Sequence, residues 1–204
     1  HNNIGCLFST KGDYEEAVFY YDKAIEIDPE YSEALHNRGL MHLKFSEWVK
    51  GWRGFEHRWK TASYNTKPLR SARPLWGGSF VERLYVWAEA GIGDEVMFSS
   101  CFNELQSYCD RLIVGCDKRL LPLFERSFNS SIRFVDKDVD VDEDLYDAQV
   151  PAGTAFGLLR QEDQSFLDNK KPYLTSDSQR CNALREKFNE MNPGAKIVGV
   201  SWKS

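Results

Sequence analysis

Apolar and polar positions follow two different periods along the chain. Up to about residue 60 the apolar positions recur at helical spacing. In YEEAVFYYDKAIEI, residues 14–27, Ala17, Tyr21, Ala24 and Ile25 share one face. Gly12-Asp13 breaks a first helix and opens this second one. Asp28-Pro29 closes it, because proline disfavours helical backbone in the residue before it. A third helix is predicted from about Ser32 to Phe45 and a fourth from about Glu47 to Lys60.

From residue 83 the pattern changes. RLYVWAEA (83–90), RLIVGC (111–116), IRFVDK (132–137) and YDAQVP (146–151) read as short strands. DEVMFSSCFNELQSYC (94–109), KRLLPLFERSF (broken near Pro122), 155–161 and 178–191 read as helices. This alternation predicts a parallel sheet with helices on both faces. Residues 61–82 carry Pro68, Pro74 and Gly77-Gly78 and read as a linker, anchored to a core by Trp76. KIVGVSW, behind Pro193-Gly194, reads as the opening strand of a second lobe. The fold class expected is thus α followed by α/β. Its divisions are helices over 1–60, a linker over 61–82, a parallel-sheet lobe over 83–193 and a first strand of a further lobe over 194–204.

The helical part has an internal period of 34 residues: Gly5 maps onto Gly39, Ala17 onto Gly51 and Tyr21 onto Phe55. Small residues at Gly5, Ala17 and Ala24 let paired helices approach closely, and Phe8 and Tyr21 fill the space around them. With Pro29 closing the unit, residues 1–34 resemble the tetratricopeptide repeat, although the family's leading aromatic position falls on His1. The second unit departs from the pattern. Arg58 stands where a small residue is expected, and Ser63 replaces the closing proline. Trp48, Trp52, Phe55 and Trp59 instead form a single helical stripe. Two readings stand for it: a face packed on the neighbouring region, or a stacking platform for a ligand.

Composition narrows the function classes. A net charge of −5 argues against broad attraction to nucleic acid or acidic lipid. No apolar run approaches the roughly 20 residues of a membrane-spanning helix. Five cysteines without a CxxC pair point to reduced thiols and a cytoplasmic setting, and they show no zinc spacing with the four histidines. The start at His1 and the stop at KIVGVSWKS lead us to expect a fragment whose coding sequence continues past Ser204.

The chemistry-bearing stretch is AEAGIGDEVMF, residues 88–98. Gly91 and Gly93 match the start of a dinucleotide fingerprint, but Val96 stands in the third position. Asp94 and Glu95 compete with a phosphate for the positive end of the following helix. Asp94 reads either as that helix's N-cap or as a functional carboxylate at the carboxyl edge of the sheet. The acidic run DKDVDVDEDLYD (136–147) lacks the glycine and glutamate of a calcium loop and reads as a solvated loop.

The order of motifs extends the resemblance. WVKGWRGFEHRWK, PLWGGSF, RLYVWAEAGIGDEVMF and GVSWKS occur in series. This order is similar to that of bacterial tetratricopeptide proteins with a glycosyltransferase-like region related to the heptosyltransferases. Glu56, Arg58 and Trp59, Pro74 to Gly77, Glu89, Gly91, Gly93, Asp94, Gly199 and Trp202 carry the match. Ala90 replaces the family's usual glutamine, and Lys203 its usual small residue.

The resemblance implies the N-terminal, Rossmann-like half of a GT-B fold and an inverting, metal-independent sugar transfer. The donor would be a nucleotide sugar, with no other cofactor, and the acceptor is undefined. Asp94 would be the general base, Glu89, Gly91 and Gly93 the substrate-binding loop, and Lys203 and Ser204 the contacts to the donor phosphates. It implies that this fragment alone is inactive and prone to self-association. The alternative is a protein-interaction module, in which the repeat binds a peptide or protein and the sheet region is an inert scaffold.

Overall fold

The computed structural model describes residues 1–167, 172–196 and 198–199. Four helices come first: α1 (Asn2–Lys11), α2 (Tyr14–Ile27), α3 (Ser32–Lys44) and α4 (Trp48–Phe55). A 3-10 segment, Glu56–Lys60, ends the series, so the predicted fourth helix tightens over its last five residues. In the first pair Ala17 and Tyr21 are buried, and a Cβ placed on Gly5 would lie 2.6 Å from the Tyr21 ring. The second pair is closer still. A Cβ on Gly54 would lie 2.4 Å from the Gly39 Cα, so here the two backbones touch. The 34-residue period thus reappears as geometry, with Gly5 against Tyr21 in one pair and Gly39 against Gly54 and Phe55 in the next.

The remaining elements are β1 (Val81–Trp87), α5 (Ile92–Phe98), α6 (Phe102–Leu105), β2 (Cys109–Cys116), α7 (Leu121–Ser127), β3 (Ile132–Asp136), β4 (Ala148–Pro151), α8 (Ala152–Leu159), α9 (Asp163–Leu167) and α10 (Ser178–Met191). The strands form a parallel sheet in the order β3-β2-β1-β4. The chain builds outward from β1 to β3, then returns to the other side of β1 with β4. The order therefore reverses between β1 and β4.

Alternation on the strands sorts side chains to two faces. Leu84, Val86, Leu112, Val114 and Val150 join Phe98, Phe102, Leu105, Phe124 and Phe156 in the main core, under α5 to α8. Tyr85, Trp87 and Ile113 point the other way, where Tyr146, Trp59, Leu69 and Val141 cover them. The expectation of helices on both faces is therefore corrected. One face has helices; the other is covered by Trp59 of the 3-10 segment, the linker and the acidic loop. A cluster of large aromatic rings suffices to keep water off a sheet this narrow, so no second helical layer is required.

Three further corrections concern local chain breaks. The predicted helix over 94–109 is four short pieces, because α5 and α6 are joined and followed by 3-10 turns at Ser99–Cys101 and Gln106–Tyr108. Pro122 starts α7 instead of breaking it, in keeping with proline's tolerance of the first helical turn. The linker is irregular over most of its length, but Leu75 pairs with Gln149 alongside β4. Trp76 is buried as expected, and its indole N–H donates to the Ser79 carbonyl. The predicted strand KIVGVSW lies mostly outside the described residues. Within it, Val198 is exposed.

Candidate functional site

In an open α/β sheet, ligands enter at the carboxyl ends of the strands where the strand order reverses. Here that point lies between the ends of β1 and β4, and Glu89 and Gly153 meet there. Glu89 is 3% exposed. Its Oε1 accepts the Gly153 N–H at 2.6 Å. A Cβ on Gly153 would lie 2.4 Å from that same oxygen, so only glycine lets the helix start approach the carboxylate.

The cation facing Glu89 comes from the helical part. Arg58 Nε donates to Glu89 Oε2 at 2.8 Å, and Arg58 Nη2 donates to Glu89 Oε1 at 3.1 Å. This is a two-pronged pairing that suits the planar guanidinium. Arg58 Nη2 also donates to Thr154 Oγ1 at 2.7 Å, and Arg58 Nη1 donates to Glu56 Oε1 at 2.9 Å. The Thr154 hydroxyl donates to the same Glu56 oxygen. The guanidinium lies between the Phe55 and Trp59 rings, 4.1 and 4.4 Å from their centroids. From the linker, Tyr64 Oη donates to Glu89 Oε2, and Thr66 Oγ1 donates to the Glu89 carbonyl. Burial pushes the Glu89 carboxyl above the usual carboxylate range, against the pull of Arg58, Tyr64 and the Gly153 N–H.

The position where a ligand would enter is thus filled by the protein itself. Glu89, expected in a substrate-binding loop, faces inward and joins three segments. The aromatic stripe completes the joint: Trp52 Nε1 donates to the Arg160 carbonyl at 2.6 Å, Trp48 stacks at 4.3 Å on Phe166, and Trp59 lies 5.5 Å from Trp87. The packing reading of the stripe therefore holds.

Between Glu89 and Glu95 the loop turns outward. Gly91 is the N-cap of α5, and no side chain caps that helix, which corrects the reading of Asp94 as cap. Asp94 and Gly93 are exposed. Asp94 has no hydrogen bond or ion pair among the described residues, and Lys203 and Ser204 lie outside them.

Glu95 is the residue sequence reasoning missed. It is 3% exposed, accepts the Asp117 N–H at 2.7 Å and pairs with Lys137 at 2.8 Å. It thereby ties the ends of β2 and β3 to α5. The available signal was spacing: Glu95, Phe98, Ser99 and Phe102 fall on one helical face, and all four are buried. Among the described residues no group of three His, Cys, Asp or Glu side chains is placed to hold a metal ion. The five cysteines are free thiols, and burial pushes Cys101 and Cys116 each up to about 12. Among the described residues no helix is long and apolar enough to cross a membrane.

Comparison with known proteins settles one part of the chain. Residues 1–31 match the tetratricopeptide repeat family. The chain carries such a repeat. Over its full length it is 22% identical to Protein FlbA of Caulobacter vibrioides, covering 43% of that protein. It is 37% identical over 79 residues to the BBSome complex member BBS4 of Bos taurus, a match covering 39% of this chain and 14% of that protein. It is 40% identical over 43 residues to the Photosystem I assembly protein Ycf3 of Acaryochloris marina, covering 21% of this chain and 26% of that protein. The chain therefore spans less than half the length of each of these relatives. The glycosyltransferase resemblance gains no support from these matches.

Proposed function

We propose that the chain is a protein-interaction module. Its tetratricopeptide helices present the binding surface, and the parallel-sheet region is a scaffold that holds them. One observation carries this reading: at the reversal point of the sheet the Glu89 carboxylate is buried and paired with Arg58, so it joins segments of the chain and does not face a ligand. Two of the relatives bear names that speak of a complex and of assembly, which fits a repeat that contacts other proteins. The free thiols suit a reducing, cytoplasmic setting for such contacts.

The test uses photo-crosslinkers at the exposed positions Leu7 and Phe19 of the helices and at Val139 of the sheet region. Crosslinks to a partner from Leu7 and Phe19 alone are the expected result. Crosslinks from Val139 alone would overturn the proposal.

A second reading keeps sugar transfer from a nucleotide-sugar donor, with Asp94 as base, Gly91 and Gly93 shaping its loop, and Lys203 and Ser204 toward the donor phosphates. The exposed Asp94 carboxylate favours it. In the full-length protein, D94N should then lower turnover by roughly 10²–10⁴-fold. Unchanged turnover removes Asp94 from any mechanism.

A further inference from the structure

We propose that the groove between α3 and α4 binds a short acidic peptide segment of a partner protein. This rests on the interaction-module reading and supplies the partner's chemistry. The groove has a volume of about 400 Å³. Its floor exists because Gly39 and Gly54 bring the two helix backbones into contact, so the flanking side chains stand as walls on either side. From α3 the walls carry Leu35, Arg38 and His42; from α4 they carry Val49, Lys50 and Arg53, with His57 beyond and the Asp22 carboxylate of α2 at the edge.

Three permanent cations against one carboxylate, Asp22, therefore line the groove in a chain whose net charge is −5. Two of them have internal partners: Arg38 pairs with Asp22 at 2.6 Å and Lys50 with Glu47 at 3.1 Å. Arg53 is exposed and has no ion pair or hydrogen bond among the described residues. His57 in the same groove is held below its usual pKa by burial first and then by Lys60 and Arg38, with Glu30 and Glu56 pulling the other way. An incoming carboxylate meets Arg53 directly, and Leu35 and Val49 offer apolar surface to the residues beside it. A nucleic acid fits less well. The groove is short, and the net negative charge of the rest of the chain repels a long polyanion.

The probe is a fluorescein-labelled peptide of alternating Glu and Leu, with the Lys/Leu peptide and a single-stranded oligonucleotide as controls. The full chain is titrated by fluorescence anisotropy. The expected result is binding of the Glu/Leu peptide alone, weakened by added salt and weakened about tenfold or more by R53E. K118E, outside the groove, should bind as the parent does. A circular dichroism melt checks the fold. If R53E fails to fold, R53Q replaces it, with a loss of about threefold or more expected.

Equal binding by the folded Arg53 variant, preference for the Lys/Leu peptide or the oligonucleotide, or no binding of the Glu/Leu peptide each overturns the proposal. The wider reading is judged separately. If partner crosslinks at Leu7 and Phe19 persist in R53E while the peptide fails, the module stands and the acidic groove falls.

Discussion

The two helical pairs share a 34-residue spacing and use it in opposite ways. The first pair keeps a small buried centre at Ala17 and Tyr21 and leaves Leu7, Phe19 and Ile27 at 63%, 51% and 73% exposure. The second turns two of the equivalent positions inward, Met41 and Thr61, and leaves the third, Arg53, exposed. Where the first unit has Ala24, the second has Arg58, fully buried and joined to Glu89. The guanidinium in place of a small side chain, together with the aromatic stripe, makes the second unit one that closes a sheet. The same framework thus supplies a surface at one end and a joint at the other.

Breaking the joint should have the largest effect. E89A leaves the buried Arg58 charge with only the more exposed Glu56 as counter-ion and should cost about 3–5 kcal/mol in denaturant unfolding. Replacing both groups, as in R58M/E89M, should cost much less than the sum of the single changes, because neither charge is stranded. Additive losses would show that the pair is not coupled.

W52A removes a half-buried indole and its bond to the Arg160 carbonyl, for an expected loss of about 3 kcal/mol. G54A should cost about 2 kcal/mol, and more than G5A. The added methyl at Gly54 meets the Gly39 backbone, whereas at Gly5 it meets the edge of a ring that can move. Equal losses would remove the distinction between the two pairs.

A smaller effect is expected from pH. Burial first, and then Arg58, hold the His36 imidazole below its usual pKa; burial, Lys60 and Arg38 do the same for His57. Both stay neutral in the folded chain after they have become protonated in the unfolded one. Stability is therefore full above about pH 6.5 and falls as the pH drops through that value. The melting temperature should drop by about 1–3 °C between roughly pH 7.5 and 5.5, and less in H36Q. At the far end of the scale, F19A should change stability by no more than about 0.5 kcal/mol, because Phe19 lies on the open surface of the first pair.

Much of this comparison was legible in the sequence. The helical periods placed α2 and α10 at their observed bounds, and the departure at Arg58 marked the second unit as different. Arg58 and Glu89 were both singled out, yet nothing in the sequence paired them: they lie 31 positions apart, on elements that meet only in three dimensions. The inward turn of Glu95 was hidden by its neighbour, since two adjacent acids at a helix start look alike until the buried face is counted. The aromatic cover on the second face of the sheet was hidden too, because aromatic residues scattered through irregular segments carry no period. In the candidate site, the sequence drew attention to the 88–98 loop, but that Glu89 and Glu95 face inward while Asp94 stays exposed became visible only in the fold.

One consequence concerns the chain's response to a cut. The exposed Gly77 and its neighbour Gly78 are the natural place for a protease to nick the linker. On the upstream side of such a nick, Arg58, Tyr64 and Thr66 still hold Glu89, and Leu75 still pairs with Gln149. The two pieces would travel together through a sizing column and separate only in denaturant. The covalent link between repeat and sheet is dispensable for their union; the contacts across the joint are not.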